Sequence, residues 1–226
     1  MSSRIPTISV IIPTLNEEDY LPALLTSLMK RLPHEIIVAD GGSSDRTRLI
    51  CEKFAGVRLI SSEAGRGRQM NAGATAATGD VLFFIHADST LPACWQNEIS
   101  HLLQDHLAGT FCLNFDEKSF LLDLYSRCSR LNHWLFTYGD QGLFIRNTDF
   151  QRLGGFKEPR FLEDVDILRR LMRQGSVVKS EFPIITSARR FRKRGVIRQQ
   201  IRNIGILAAY LAGISPERLA RFYNYS

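Results

Sequence analysis

Cysteine is scarce in this 226-residue chain: there are four, Cys51, Cys94, Cys112 and Cys128, and no two form a CxxC pair. That spacing excludes a zinc knuckle or a dithiol redox motif and points to free thiols in a reducing compartment. Nowhere do about 18 uncharged apolar residues follow one another, so no transmembrane helix is expected. The apolar run of MSSRIPTISVIIP is too short for a signal peptide. Repeats and low-complexity linkers are lacking as well. These absences point to a cytoplasmic chain, with the inner face of a membrane as an alternative location. What is present is enough apolar material, 44% of residues, to build one continuous core, which excludes disorder over most of the length. Lys plus Arg number 29 against 23 for Asp plus Glu, a formal charge of +6. This suits an anionic partner, whether nucleotide, phospholipid or nucleic acid, and does not choose among them.

Hydrophobic patterning supplies the architecture. Ile8 to Pro13 is a near-continuous β-branched run, after which Asn16, Glu17, Glu18 and Asp19 put acidic groups in the first turn of a helical segment reaching Arg31. The unit recurs: a strand from Glu35 to Asp40, a helix capped by Ser44 or Asp45 and running toward Phe54, a strand from Val57 to Ser61, and a helix from about Arg66 to Ala77. The strand from Asp80 to Asp88 has a VLFFI core without polar alternation, the pattern of burial on both faces. Such alternation predicts a mostly parallel α/β sheet. Beyond Asp88 the expected elements are a helix starting near Pro92, a strand from Gly109 to Phe115, an amphipathic segment from Phe120 to Phe136, a short strand from Gly142 to Arg146 and a helix from Phe161 to Arg173. Arg189, Arg190, Arg192, Lys193, Arg194 and Arg198 then precede an amphipathic stretch, Ile201 to Ile214, which reads as a basic helical arm.

In open parallel sheets, ligands sit beyond the carboxyl ends of the strands. Pro13-Thr14-Leu15-Asn16-Glu17 follows the first strand, and Asp40-Gly41-Gly42-Ser43-Ser44-Asp45 follows the second. Asp40 can accept from a base N–H or a ribose hydroxyl, and the glycines allow close backbone approach. Gly65-Arg66-Gly67-Arg68 opens a helix, which suits a diphosphate, because guanidinium pairs bidentately with phosphate oxygens. His86-Ala87-Asp88 ends the most buried strand and offers a hard oxygen ligand in Asp88 for Mg²⁺ or Mn²⁺. Glu163-Asp164-Val165-Asp166 places carboxylates at a helix start, where one held near an acceptor hydroxyl can serve as general base. Each motif taken singly also reads as an ordinary turn, cap or solvated basic loop.

Taken in order, PTLNE, DGGSSD, GRGRQMNAG, HAD, GDQG and LED resemble the family 2 glycosyltransferases over about residues 7 to 175. The resemblance implies a GT-A fold over residues 1–188, with a nucleotide-binding half of about 1–90 and an acceptor half of about 91–188, followed by the arm, 189–226. It implies that Pro13, Thr14, Glu17 and Asp40 contact the nucleoside of a UDP- or GDP-sugar, and that Arg66 or Arg68 lies near the diphosphate. Asp88 would bind the metal and Asp164 would be the base, with Glu163 orienting it or touching the donor sugar. Asp140 and Gln141 would line the acceptor side, and Trp134 and Tyr138 could stack on a sugar, although core packing suits Trp134 better. Arg189 and Arg190 would close over the diphosphate or face acidic lipid. The family usually has Asp where His86 stands. His86 therefore either ligates, favouring Mn²⁺ over Mg²⁺, or hydrogen-bonds a phosphate or ribose oxygen, or packs. A QxxRW element and paired membrane helices are lacking, which argues against processive polymer export. The reading is an inverting, single-sugar transferase with no nucleic-acid partner and an acceptor that the sequence does not name. The arm would touch a membrane, a second subunit or its own domain. The rival readings are a nucleotidyltransferase and a non-catalytic nucleotide-sugar or membrane-surface binding module.

Overall fold

The computed structural model describes residues 5–137, 139–157 and 162–195, together with 198, 202, 205, 206, 208–210 and 212–214. In chain order the elements are β1 (Ile8–Thr14), α1 (Leu21–Met29), β2 (Glu35–Asp40), α2 (Thr47–Glu52), β3 (Val57–Ser61), α3 (Arg66–Ala76), β4 (Val81–Phe84), β5 (Ser89–Thr90), α4 (Trp95–Asp105), β6 (Ala108–Phe115), α5 (Phe120–Ser129), β7 (Leu143–Arg146), α6 (Asn147–Leu153), α7 (Glu163–Gln174), β8 (Val177–Thr186) and α8 (Arg189–Arg194). One eight-stranded sheet runs in the order β3-β2-β1-β4-β7-β6-β8-β5. Its first four strands are mutually parallel, β7 runs antiparallel to both β4 and β6, and β6 and β8 are parallel. The helices flank a mostly parallel twisted sheet, as the sequence pattern predicts.

Alternation along the buried strands divides the core into two layers. Val10, Ile12 and Phe83 face one side, where they pack with Leu21, Leu25, Trp95 and Phe111. Ile11, Leu82 and Phe84 face the other, against Met70, Phe150, Phe156 and Leu168. This two-sided burial explains why β1 and β4 read as unbroken apolar runs. Helix α3 lies so close to β1 that a Cβ built on Gly73 would overlap Ile11 Cγ2. Ile11 is fully buried and branched at Cβ, so it has nowhere to move. Gly73→Ala is expected to lower stability by about 1–3 kcal/mol, measured as a drop in denaturation midpoint without a change in m value.

Several elements depart from the sequence expectation. Glu17, Glu18 and Asp19 lie in a loop before α1, not in its first turn. The loop is held by its neighbour: the N–H of Glu17 donates to Thr47 Oγ1, that of Glu18 to Asp45, and Asn16, at φ 57, accepts from the Ser44 N–H. The segment from Phe120 to Phe136 is not continuous, because α5 stops at Ser129. There Lys179 Nζ of β8 lies within 3.3 Å of the carbonyls of Ser129, Leu131 and Phe136 and of Thr137 Oγ1, gathering the chain that follows α5 around one ammonium group. Strand β8 itself was not foreseen: it contains Pro183, which argues against a strand from sequence alone, and a register shift against β6 between Phe111 and Cys112 accommodates it. The short helix α6 is likewise absent from the sequence expectation.

Candidate active site

The loops after β1, β2 and β4, the start of α3, the turn before β7, the start of α7 and the end of β8 converge at one edge of the sheet. On its first side, Asp40 ends β2 fully buried. Its carboxylate accepts from the Ser43 hydroxyl, from the N–H groups of Ser43 and Gly42, and from Arg48 Nη1 at 2.9 Å, and Thr14 Oγ1 lies 3.5 Å away. Burial alone would raise the Asp40 pKa, but hydrogen bonds from Ser43, Arg48 and Gly42 outweigh it and hold the carboxyl below its ordinary range. Gly42, at φ 93, supplies the backbone conformation that this inward-turned loop needs. Asp40 therefore shapes the DGGSSD loop from within. Pro13 and Thr14 are buried at the end of β1 beside it.

Gln69, which sequence reasoning passed over, braces the same corner. Its Nε2 donates to the carbonyls of Thr14 at 2.7 Å and Ala39 at 2.8 Å, joining α3 to the ends of β1 and β2. Asn71, two residues on, exchanges two hydrogen bonds with the Phe156 backbone, tying α3 to the chain that leads toward α7. The signal for both was their position in GRGRQMNAG, a helix start rich in side chains able to bond backbone.

Glu17, Asp88 and Arg189 form a second cluster. Arg189 donates through Nη1 and Nη2 to Glu17 at 2.8 and 2.7 Å, its Nε lies 3.1 Å from Asp88 Oδ2, and its guanidinium lies 4.4 Å from the Tyr20 ring centroid. Burial opposes the charge on Arg189, but the Glu17 hydrogen bonds and the Asp88 charge outweigh it and raise its pKa further. Sequence reasoning named all three residues without pairing them, since residues 17, 88 and 189 meet only through the tertiary fold. Arg190 follows on α8, and its side chain lies outside the described residues.

The third cluster surrounds the start of α7. Arg66, at the first position of α3, has Nη1 3.7 Å from Glu163 Oε1, and Gly67 lets α3 approach Glu163 closely. Arg68 pairs with Glu63. Leu162, just before α7, holds φ 64, a left-handed conformation uncommon for leucine and of the kind that concentrates at functional sites. Glu163 is 4% exposed, and its pKa is raised, chiefly by burial and further by the Asp164 charge, against the pull of Arg66. The folded state thus keeps the Glu163 proton to higher pH than the unfolded chain, so its effect on stability turns unfavourable as pH climbs from about 4.5 through the raised value. Glu163→Gln removes that slope. The melting temperature of the variant relative to the parent is expected to rise as pH climbs above about 4.5, as read by thermal melts over a series of pH values.

Asp164 points the other way, toward the GDQG turn. Its Oδ2 accepts the Gly139 N–H at 2.8 Å and its Oδ1 accepts the Val165 N–H at 2.8 Å. A Cβ added at Gly139 would lie 3.4 Å from both Asp164 Oδ2 and His86 Nε2, so Gly139 is where the HAD and LED motifs face each other. His86 Nδ1 is 3.0 Å from Asp140 Oδ1, which leaves Nε2 directed at this space. Gln141 is fully buried and donates to the Phe136 carbonyl, fixing the turn's shape. Beside it, Arg169 lies 5.0 Å from the Trp134 ring centroid and 5.8 Å from that of Tyr210. Trp134 also packs on the core, as expected, and the contact of Tyr210 with Arg169 brings the described part of the arm against its own domain. Tyr138 lies outside the described residues, as do Ile201, Ile204, Leu207 and Leu211.

The resemblance also implies a divalent cation, and the donors at hand define what kind would fit. Asp88, its side chain 8% exposed, already faces a positive charge in Arg189, so the position suits a cation. Among the described residues no three His, Cys, Asp or Glu gather into a cage. Such a donor set fits a hard cation that brings phosphate oxygens and water as its remaining ligands.

With the sheet order and the clustered loops in view, the chain matches the model of glycosyl transferase family 2 over residues 9–160. It belongs to that family. A PGL/p-HBAD biosynthesis glycosyltransferase of Mycobacterium tuberculosis is 42% identical over 94 residues, covering 38% of this chain and 37% of that protein. The chain thus spans little more than a third of that curated relative. Among solved structures, S. aureus TarS 1-349 in complex with UDP-GlcNAc superposes with a TM-score of 0.63 at 20% identity, over 80% of this chain and 58% of that one. The mannosyltransferase PcManGT from Pyrobaculum calidifontis, in complex with GDP-Man and Mn²⁺, gives 0.64 at 20% identity, over 81% and 57%. These likenesses establish the GT-A fold. No helix among the described residues is long and apolar enough to cross a membrane.

Proposed function

We propose that the chain transfers one sugar from a UDP- or GDP-sugar to an acceptor hydroxyl by a single inverting displacement. The observation that carries this reading is the convergence at Gly139, where Asp164 Oδ2 and His86 Nε2 border one space beside the Asp88 and Arg189 cluster. Support also comes from the neighbours of like fold, whose complexes hold UDP-GlcNAc and GDP-Man with Mn²⁺.

In this reading, residues 1–90 hold the nucleotide, with the Asp40 loop and the Pro13–Glu17 segment forming the nucleoside wall. Residues 91–188 present the acceptor. Asp164 takes the acceptor proton as the oxygen attacks the anomeric carbon, and Gly139 keeps the carboxylate aimed. Glu163 and Arg66 orient the donor from behind that base, and His86 with Asp140 borders the sugar. A divalent cation held at Asp88 would supply positive charge for the departing diphosphate. Release of nucleoside diphosphate from each candidate donor, with and without Mn²⁺, tests the reading; saturable binding without turnover would reduce the chain to a binding module.

For the basic arm we propose a peripheral contact with anionic lipid on its charge, with a homodimer contact and packing on its own domain, where Tyr210 meets Arg169, as the competing roles. Sedimentation with liposomes is expected to rise with anionic lipid content and to fall with salt, since surface attraction is screened over about 8 Å at physiological ionic strength.

A further inference from the structure

The Arg189 side chain crosses from the C-terminal segment to the loops after β1 and β4, and its hold there is built. The backbone that presents it is pinned: the Ala188 N–H donates to Asp116 Oδ1 at 2.7 Å and the Arg189 N–H to Ser187 Oγ at 3.3 Å. Two carboxylates and one guanidinium leave a net negative charge where Glu17, Asp88 and Arg189 side chains are all less than a quarter exposed. The two contacts are unequal. Glu17 takes a bidentate grip at 2.7 and 2.8 Å, whereas Asp88 takes the single Nε contact at 3.1 Å. A divalent cation on Asp88 would meet Arg189 at close range, and like charges so near repel strongly where solvent is sparse. Guanidinium, however, carries five donors in a planar fork, and phosphate oxygens are its matched acceptors.

We infer that Arg189 is an exchangeable resident cation of the donor site: it neutralises Asp88 in the nucleotide-free protein and turns to the diphosphate when a metal takes its place. The inference rests on the donor reading above and adds a coupling to it. Glu17 acts as the pivot, keeping its grip on the guanidinium while the Nε edge changes partner. Metal alone must evict Arg189 without offering it a new acceptor, and nucleotide alone must draw it away from Asp88 and leave that carboxylate unpaired. Together they satisfy every group, so metal and nucleoside diphosphate tighten each other's binding by the same factor.

The test measures Mn²⁺ binding by the electron paramagnetic resonance of free Mn²⁺, alone and with UDP or GDP, on the full chain. In the parent, nucleotide is expected to tighten Mn²⁺ binding by about tenfold or more. Arg189→Met should bind Mn²⁺ alone about tenfold more tightly than the parent, while the tightening by nucleotide falls to about twofold or less. Arg189→Lys keeps the charge but has no fork to bridge Glu17 and the diphosphate. It should retain weak binding of Mn²⁺ alone and lose most of the coupling, and it decides the matter if the Met variant does not fold. Coupling at the parental level in the folded variants overturns the exchange. If the parent shows nucleotide-dependent Mn²⁺ binding that Asp88→Ala abolishes, the donor reading survives that outcome. A parent that binds neither UDP nor GDP in the presence of Mn²⁺ overturns both.

Discussion

Asp164→Asn is expected to reduce sugar transfer by about 10²- to 10⁴-fold while changing donor affinity by no more than a few-fold. The amide has the shape of the carboxylate and can still accept the Gly139 N–H, which lies 2.8 Å from Asp164 Oδ2. It cannot take a proton from an acceptor hydroxyl, so the loss falls on the chemical step and not on binding. Single-turnover rates with saturating donor, paired with donor affinity by calorimetry, separate the two. The variant does give up one acceptor, because an amide cannot serve both the Gly139 and the Val165 N–H through oxygen, so a thermal melt accompanies the kinetics. Near-parental turnover when chemistry limits the rate would reassign Asp164 to capping α7 and holding the turn at Gly139.

Removing Asp88 should act on the donor and not on the base. Asp88→Ala is expected to weaken nucleoside diphosphate binding in the presence of Mn²⁺ by about 10- to 100-fold, or roughly 1.4 to 2.7 kcal/mol, and to tighten metal-free binding, since Arg189 no longer has to leave a carboxylate to meet the diphosphate. The variant keeps Arg189 in place, since the bidentate contact with Glu17 does not involve Asp88. Asp40→Ala provides the contrast. It strips the DGGSSD loop of the acceptor on which Ser43, Gly42 and Arg48 converge, so affinity for the free nucleoside should fall with or without metal. If Asp88→Ala left the metal-dependent affinity intact, the cation would have to be placed elsewhere.

Much of this protein is written in local pattern. The runs ISVIIP, IIVA and VLFF lack polar alternation because both faces of their strands are buried, and their alternation with helical segments identified the parallel half of the sheet. The order PTLNE, DGGSSD, GRGR, HAD, GDQG and LED likewise located the loops that face the site, because ligand-facing residues in such a sheet follow strands. The tight fit of Gly73 on Ile11 and the grip of Gln69 on two strand ends are consistent with that pattern but were not legible, as a helix sequence does not say which neighbour lies above it. Nor was the strand through Pro183, where pairing with β6 on one side and β5 on the other outweighs a poor strand former.

The sequence by itself therefore determined the fold class and the residues available for chemistry, since burial periodicity and side-chain type are local properties. The tertiary structure alone decided how those residues are partnered. Asp40, read as a free acceptor, is spent on its own loop; Arg189, 172 residues from Glu17, is clasped between Glu17 and Asp88; and His86 turns to Asp140. The clasp of Arg189 between Glu17 and Asp88 is a balance between the cost of burying charge and the gain from a partner brought in by a distant element, and that balance exists only once the sheet has closed around it.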